Sequence, residues 1–242
     1  MSKLPNAPLK EVSAQLTWHL GQEDFGKYGF LSGDYYSIIK ENYPLRETII
    51  PDGVPFQFII DNPTHKFKKD EGNFPFIVIG PGVLGINVDD GNYFWKNFRG
   101  DIKYAIKPIF NLIPKLSEFE HIHLSLEYID FYEIDFERQT VFDFLNENLN
   151  FRIEQNFLKT LKNKSVDLNF NFEDKDIGSL KFSYTKGKIK GNKSGLIVRT
   201  SAVSGIFHSS FEESISWFDN AQEKCSEVFK NMTKGKLYES FC

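Results

Sequence analysis

The chain has 242 residues, 40% of them hydrophobic, which is enough to bury a sizeable core as one large domain or two small ones. Its formal net charge of −4 excludes a global attraction to nucleic acid or an anionic membrane, so any such contact would need a local basic patch. No apolar run reaches the roughly eighteen residues of a membrane-spanning helix, and with Cys225 and Cys242 as the only cysteines no cysteine-built metal site can form.

The first residues, MSKLPNAPLKEV, lack the long apolar stretch of a secretory signal. With so few cysteines this points to a reducing compartment, and a cytoplasmic location is the expectation. Pro5 and Pro8 keep the entry extended. Val12, Ala14, Leu16 and Trp18 then alternate with polar residues, as a half-buried strand does. The spacing of Tyr35, Ile38 and Ile39 predicts a helix over 28–43, closed by Pro44.

From Pro55 the period changes to two. PFQFIID, HKFKKD, FPFIVIG and VLGINVD read as the strands of an antiparallel meander, separated by turn-forming residues. Over 92–115, Trp95, Phe98, Ile102, Ile106, Ile109 and Ile113 fall on one helical face. Pro108 inside that pattern predicts a kink or a break.

The segment 121–134, HIHLSLEYIDFYEI, alternates strictly and opens the second half. Ile122, Leu124, Leu126 and Tyr128 share one face; His121, His123, Ser125 and Glu127 share the other. A short helix is expected over 140–150. RIEQNFLKTL has no clear type, and SVDLNFNFED, GSLKFSYTKG and LIVRTSAVS read as strands. A long helix is expected over 211–236. The order strand, helix, meander, long helix thus occurs twice. The expected fold is α+β: antiparallel sheet covered by two long helices, with an internal duplication of a strand-helix-meander-helix unit and halves at 1–118 and 119–242.

Four segments carry a resemblance: LPNAPLKEV near the start, NYFWKNF leading the first long helix, LEYIDFYEI in the middle strand and FHSSFEESISWF leading the last helix. In this order they resemble a sporadically distributed family of uncharacterised prokaryotic proteins of about this length. The shared positions are Asn6, Pro8 and Glu11; Tyr93, Trp95 and Phe98; Tyr128 and Ile129. The family's middle strand often reads RYIN, whereas here it is Glu127-Tyr128-Ile129-Asp130, which removes the basic residue. The resemblance implies a bacterial or archaeal cytoplasmic protein without an assigned activity, in mobile or defence-related gene neighbourhoods.

Few motifs point to chemistry. Gly80-Pro81-Gly82-Val83-Leu84-Gly85 spells G-x-G-x-x-G, but strand residues rather than a helix follow it, and Pro-Gly is a turn signal. His121, His123 and Glu127 line one strand face, but four residues of strand separate His123 from Glu127 by about 13 Å, too far to share one metal ion. Glu127, Asp130, Glu133, Asp135 and Glu137 read as a solvated strand end. His208 lies beside Ser209 and Ser210, one of which is expected to cap the last helix. No cofactor or metal is expected.

The stretch 177–211 carries Lys181, Lys186, Lys188, Lys190, Lys193 and Arg199 without Asp or Glu, interleaved with Phe182 and Tyr184. Such a basic, glycine-containing hairpin could hold phosphates or single-stranded nucleic acid, with Tyr184 for stacking. The same pattern also fits lysines that protect a sheet edge. The reading reached is a non-catalytic binding or regulatory module, in a phage-defence or toxin–antitoxin setting, that engages a protein or nucleic acid and is compatible with a homodimer. The alternative is an enzyme with a dispersed site, for which His123, Glu127 and His208 are the candidates.

Overall fold

In the computed structural model the first alternating stretch becomes β1 (Leu9–Trp18), which runs through the middle of a nine-stranded sheet. The structure describes residues 4–19, 25–51, 54–55, 58–60, 62–72, 74–89, 91–112, 122–150, 152–154, 164–189, 191–205, 210–233 and 235–242. After β1 come α1 (Phe25–Ile39), β2 (Leu45–Thr48), β3 (His65–Lys68), β4 (Phe76–Gly80), β5 (Val83–Asp89) and α2 (Trp95–Leu112). The second half holds β6 (Ile122–Glu133), α3 (Val141–Asn148), β7 (Asp167–Asp174), β8 (Gly178–Ile189), β9 (Lys193–Val203), α4 (Phe211–Met232) and α5 (Gly235–Glu239).

The sheet order is β2-β3-β4-β5-β1-β6-β9-β8-β7, and all its pairs are antiparallel. The chain is therefore α+β with one large antiparallel sheet. The expected boundary at 118/119 lies outside the described residues, and the sheet is continuous through the β1–β6 pair, where Leu16 faces Leu124 and Ala14 faces Leu126.

Register decides which side chains are sheltered. One face carries Val12, Ala14, Leu16 and Trp18 of β1, Ile122, Leu124 and Leu126 of β6, and Leu196, Val198 and Ala202 of β9, all buried. Against this side pack α1 on β4, α2 on β5, and α4 on β6 and β9. On α2 the buried residues are Phe98, Ile102, Ala105, Ile106, Pro108 and Ile109, each large apolar one contributing about 1.5–3 kcal/mol. α2 and α4 also meet through Arg99, whose Nε and Nη2 both donate to the Asp219 carboxylate at 2.7 Å. Several shared positions of the resemblance join elements distant in sequence: Tyr93 Oη lies 2.9 Å from Tyr128 Oη, Pro8 O accepts from Phe131 N, and Glu11 Oε1 accepts from Asn87 Nδ2.

Several expectations need correction. α2 runs on through Pro108, whose ring is buried with the helix's core-facing stripe; that packing offsets the one backbone bond lost. PFQFIID forms no strand at its described residues: Phe58 N bonds Pro55 O and Asn62 N bonds Ile59 O, which curls the segment into turns. The outermost strand is instead β2, Leu45–Thr48. The last helix stops at Met232, because Thr233 turns extended and bridges to Leu149, and a separate α5 follows. The G-x-G-x-x-G letters fall on the β4–β5 turn, with Gly82 at φ 79°, and no helix starts there.

Candidate functional site

The sheet's other face is built from the intervening residues. In the first half a loop lies close over it: a Cβ on Gly80 would stand 1.9 Å from Asn62 O. In the second half β6, β9, β8 and β7 present a polar surface in two rows. Glu127, Ser201, Lys181 and Asn171 form one row, and Ile129, Arg199, Ser183 and Asn169 form the next. Most of these line a depression of about 350 Å³.

Within it, Arg199 Nη1 donates to Glu127 Oε1 at 3.0 Å, and Ser201 Oγ donates to Glu127 Oε2 at 2.8 Å. The Arg199 side chain is 47% exposed, so water screens this pair, which is worth at most about 1 kcal/mol. Lys181 is exposed between Ser201 and Asn171 and has no acidic partner among the described residues. The surface thus offers one free ammonium, a guanidinium already turned toward a carboxylate, and serine and asparagine groups that donate and accept. It can hold a polar or charged ligand by hydrogen bonds. Its Ser201 hydroxyl faces the Glu127 carboxylate, which also accepts from Arg199, and no histidine is among the described residues that line it.

The hairpin expected to act as one basic patch divides between two faces. Lys181 and Arg199 enter the depression. Lys193 lies farther along the same face, with Nζ 2.7 Å from Glu133 Oε2. Lys186 and Lys188 alternate with these residues and project the other way. Lys186 Nζ sits 4.1 Å from the centre of the Phe136 ring, and Lys188 Nζ donates to Asn192 Oδ1. Tyr184 is buried, its hydroxyl donating to Met232 Sδ at 2.9 Å and pushed up to about 12 by burial. It presents no stacking surface. Lys190 lies outside the described residues.

Of the candidates for catalysis, the two among the described residues, His123 and Glu127, do not converge. His123 lies opposite Thr17, with Nδ1 3.5 Å from Ser204 O, two rows from Glu127. His121 and His208 lie outside the described residues. Ser210 caps α4 in a reciprocal pair with Glu213. Among the described residues no group of three His, Cys, Asp or Glu could hold a metal ion. The acidic run is not wholly solvated: Asp130 shares the covered face with Leu126 and Tyr128 and is 4% exposed, and burial pushes its carboxyl up to about 7, against a smaller pull from Lys10.

One arrangement in the first half left no sequence signal. Arg46 Nη2 lies 2.8 Å from His65 Nε2, and a guanidinium only donates, so that nitrogen accepts and Nδ1–H donates to Thr64 Oγ1. Thr64 Oγ1 donates to Ile79 O, and the Tyr28 hydroxyl closes the chain on Thr64. Burial and the nearby Arg46 charge hold His65 below its ordinary range, and the network ties α1 and the β2 edge to β3 and β4. No protein-family model, no curated protein and no solved structure matches the chain.

Proposed function

We propose that the protein is a non-catalytic binding module that engages a protein partner through the polar face of the second half-sheet. The observation that carries this reading is the depression where Glu127, Arg199, Ser201, Lys181, Ser183, Asn169 and Asn171 meet on a face turned away from α2 and α4. Nucleic acid is disfavoured there: Arg199 is already neutralised by Glu127, and the nearby Tyr184 and Phe182 rings lie under the covered face.

The same reading takes the halves as two copies of one unit, with α2 and α4 as corresponding covers. In support, each half's first strand pairs with its own last strand, β1 with β5 and β6 with β9, and the two first strands meet. From the family resemblance we carry over a prokaryotic cytoplasmic setting linked to phage defence or a toxin–antitoxin system.

A photo-crosslinking amino acid at Ser183, compared with one at exposed Lys40 on the helix side, tests the binding surface in the source cells. A discrete protein adduct is expected at Ser183 and not at Lys40, and it should be lost with Arg199→Ala and Lys181→Ala together. Those surface changes should alter stability by only about 0.5 kcal/mol each. Equal adducts at both positions, or adducts with nucleic acid alone, would contradict the reading.

A further inference from the structure

Beside the depression, β7 ends the sheet and, among the described residues, is bonded to β8 alone. Its residues alternate strictly. Leu168, Phe170 and Phe172 point to the helix side, while Asp167, Asn169, Asn171 and Glu173 point to the polar face. α4 packs on β6 and β9, inward of β7, and Phe170 and Phe172 are 38% and 55% exposed. The two rings stack at 6.5 Å and rest edge-on against Tyr184 and Phe182, so they are held in place rather than left loose. A strand edge with a preformed aromatic ladder is a template for another strand.

Charge selects what the edge accepts. Edge strands are commonly guarded by lysine, but β7 has none and carries Asp167, Glu173 and Asp174. Only Asp174 is met by a cation among the described residues, Lys224 Nζ at 3.3 Å. A second copy paired antiparallel about Phe170 would set Asp167 opposite Glu173, which opposes self-association. The strand already bonded to β7 shows what fits: apolar Leu180, Phe182 and Tyr184 of β8 lie opposite Phe172, Phe170 and Leu168, and Lys181 lies opposite Asn171.

We propose that β7 accepts an extended segment of the partner protein as an added strand, one whose apolar residues meet Phe170 and Phe172 while intervening lysines or arginines meet Asp167 and Glu173. This rests on the binding-module reading and names the partner's chemistry and mode of attachment.

The test uses fluorescence anisotropy with the full chain and a short synthetic peptide alternating valine with lysine. Binding is expected, with a loss of about tenfold or more for Phe172→Asp and for Asp167→Lys with Glu173→Lys. A valine–glutamate peptide should not bind, and a valine–lysine peptide with alternate amides methylated should lose binding, because strand addition needs the backbone N–H groups. Phe172 is mostly exposed, so its replacement should leave the melting curve in place. The proposal is overturned if the glutamate or methylated peptide binds as well as the valine–lysine one, or if Phe172→Asp binds normally. Sedimentation of the wild type as a dimer that Phe172→Asp dissociates would assign the edge to a second copy and overturn it equally. A Ser183 crosslink in the otherwise wild-type chain with no peptide binding removes the edge proposal and leaves the module reading standing; no protein adduct at Ser183 in that chain removes the module reading itself.

Discussion

Ile102→Asp is expected to abolish cooperative unfolding, leaving a chain without a near-ultraviolet dichroism signal. Ile102 is fully buried in the middle of the α2 stripe formed by Phe98, Ala105, Ile106 and Ile109. Removing such a side chain costs about 2–5 kcal/mol through lost contacts and the cavity left behind. The aspartate adds a carboxylate that must be desolvated or keep its proton. Together these approach the whole stability of a typical domain, about 5–15 kcal/mol. The loss cannot stay local, because α2 packs against α1, β5 and α4, and β1 pairs directly with β6. Lys107→Asp, at an exposed position on the same helix, should melt within about 0.5 kcal/mol of wild type. A wild-type melt for Ile102→Asp would mean that α2 does not cover this core.

Asp130→Asn is expected to stabilise the protein above neutral pH and to leave it unchanged in acid. Burial raises the Asp130 carboxyl from 3.8 to about 7, against a smaller pull from Lys10. Below about pH 4 the group is protonated in both the folded and unfolded chain and contributes no difference. Between about pH 4 and 7 the unfolded chain releases a proton that the folded chain keeps, so stability falls as pH rises and levels off above the folded value. A shift of about three units corresponds to roughly 4 kcal/mol. Asparagine keeps the shape of the neutral acid without the ionisation.

The difference between variant and wild type isolates Asp130 from Asp174 and Glu213. Backbone hydrogen bonds hold both of those carboxyls low, so their stabilisation is lost in acid, the opposite direction. Urea titrations should give a difference near zero at pH 4, growing to about 4 kcal/mol at pH 8. A difference independent of pH would show that the carboxyl is not buried as described.

The parts of the fold that were legible in the sequence are those with strong alternation. Ile122, Leu124 and Leu126 announced β6 and its buried face, and Asp130 obeys the same parity, which placed it under the helices although its charge argued for solvent. β2 was silent because Leu45-Arg46-Glu47-Thr48 is short and mostly exposed, formed by its pairing with β3 rather than by its own pattern. PFQFIID misled because alternation does not forbid turns between two prolines. At the candidate site Lys181 and Arg199 were legible as cations on one hairpin. The β6–β9 register that sets Glu127 beside Ser201 and within reach of Arg199 joins positions more than seventy residues apart, and local pattern cannot reveal it. Parity alone could have separated Lys186 and Lys188 from Lys181.

Thiol labelling of adjacent positions on β9, with Lys181 of β8 beside them, tests the central claim most directly: over its second half the sheet is sheltered by helices on one face and, among the described residues, uncovered on the other. In a Cys242→Ser background only Cys225 remains, and it is buried with its thiol pushed up to about 12, so it should stay unreactive. Ser201→Cys and Lys181→Cys are expected to react about tenfold or more faster than Thr200→Cys, which points beneath α4. Thr200→Cys reacting as fast as Ser201→Cys would contradict the account.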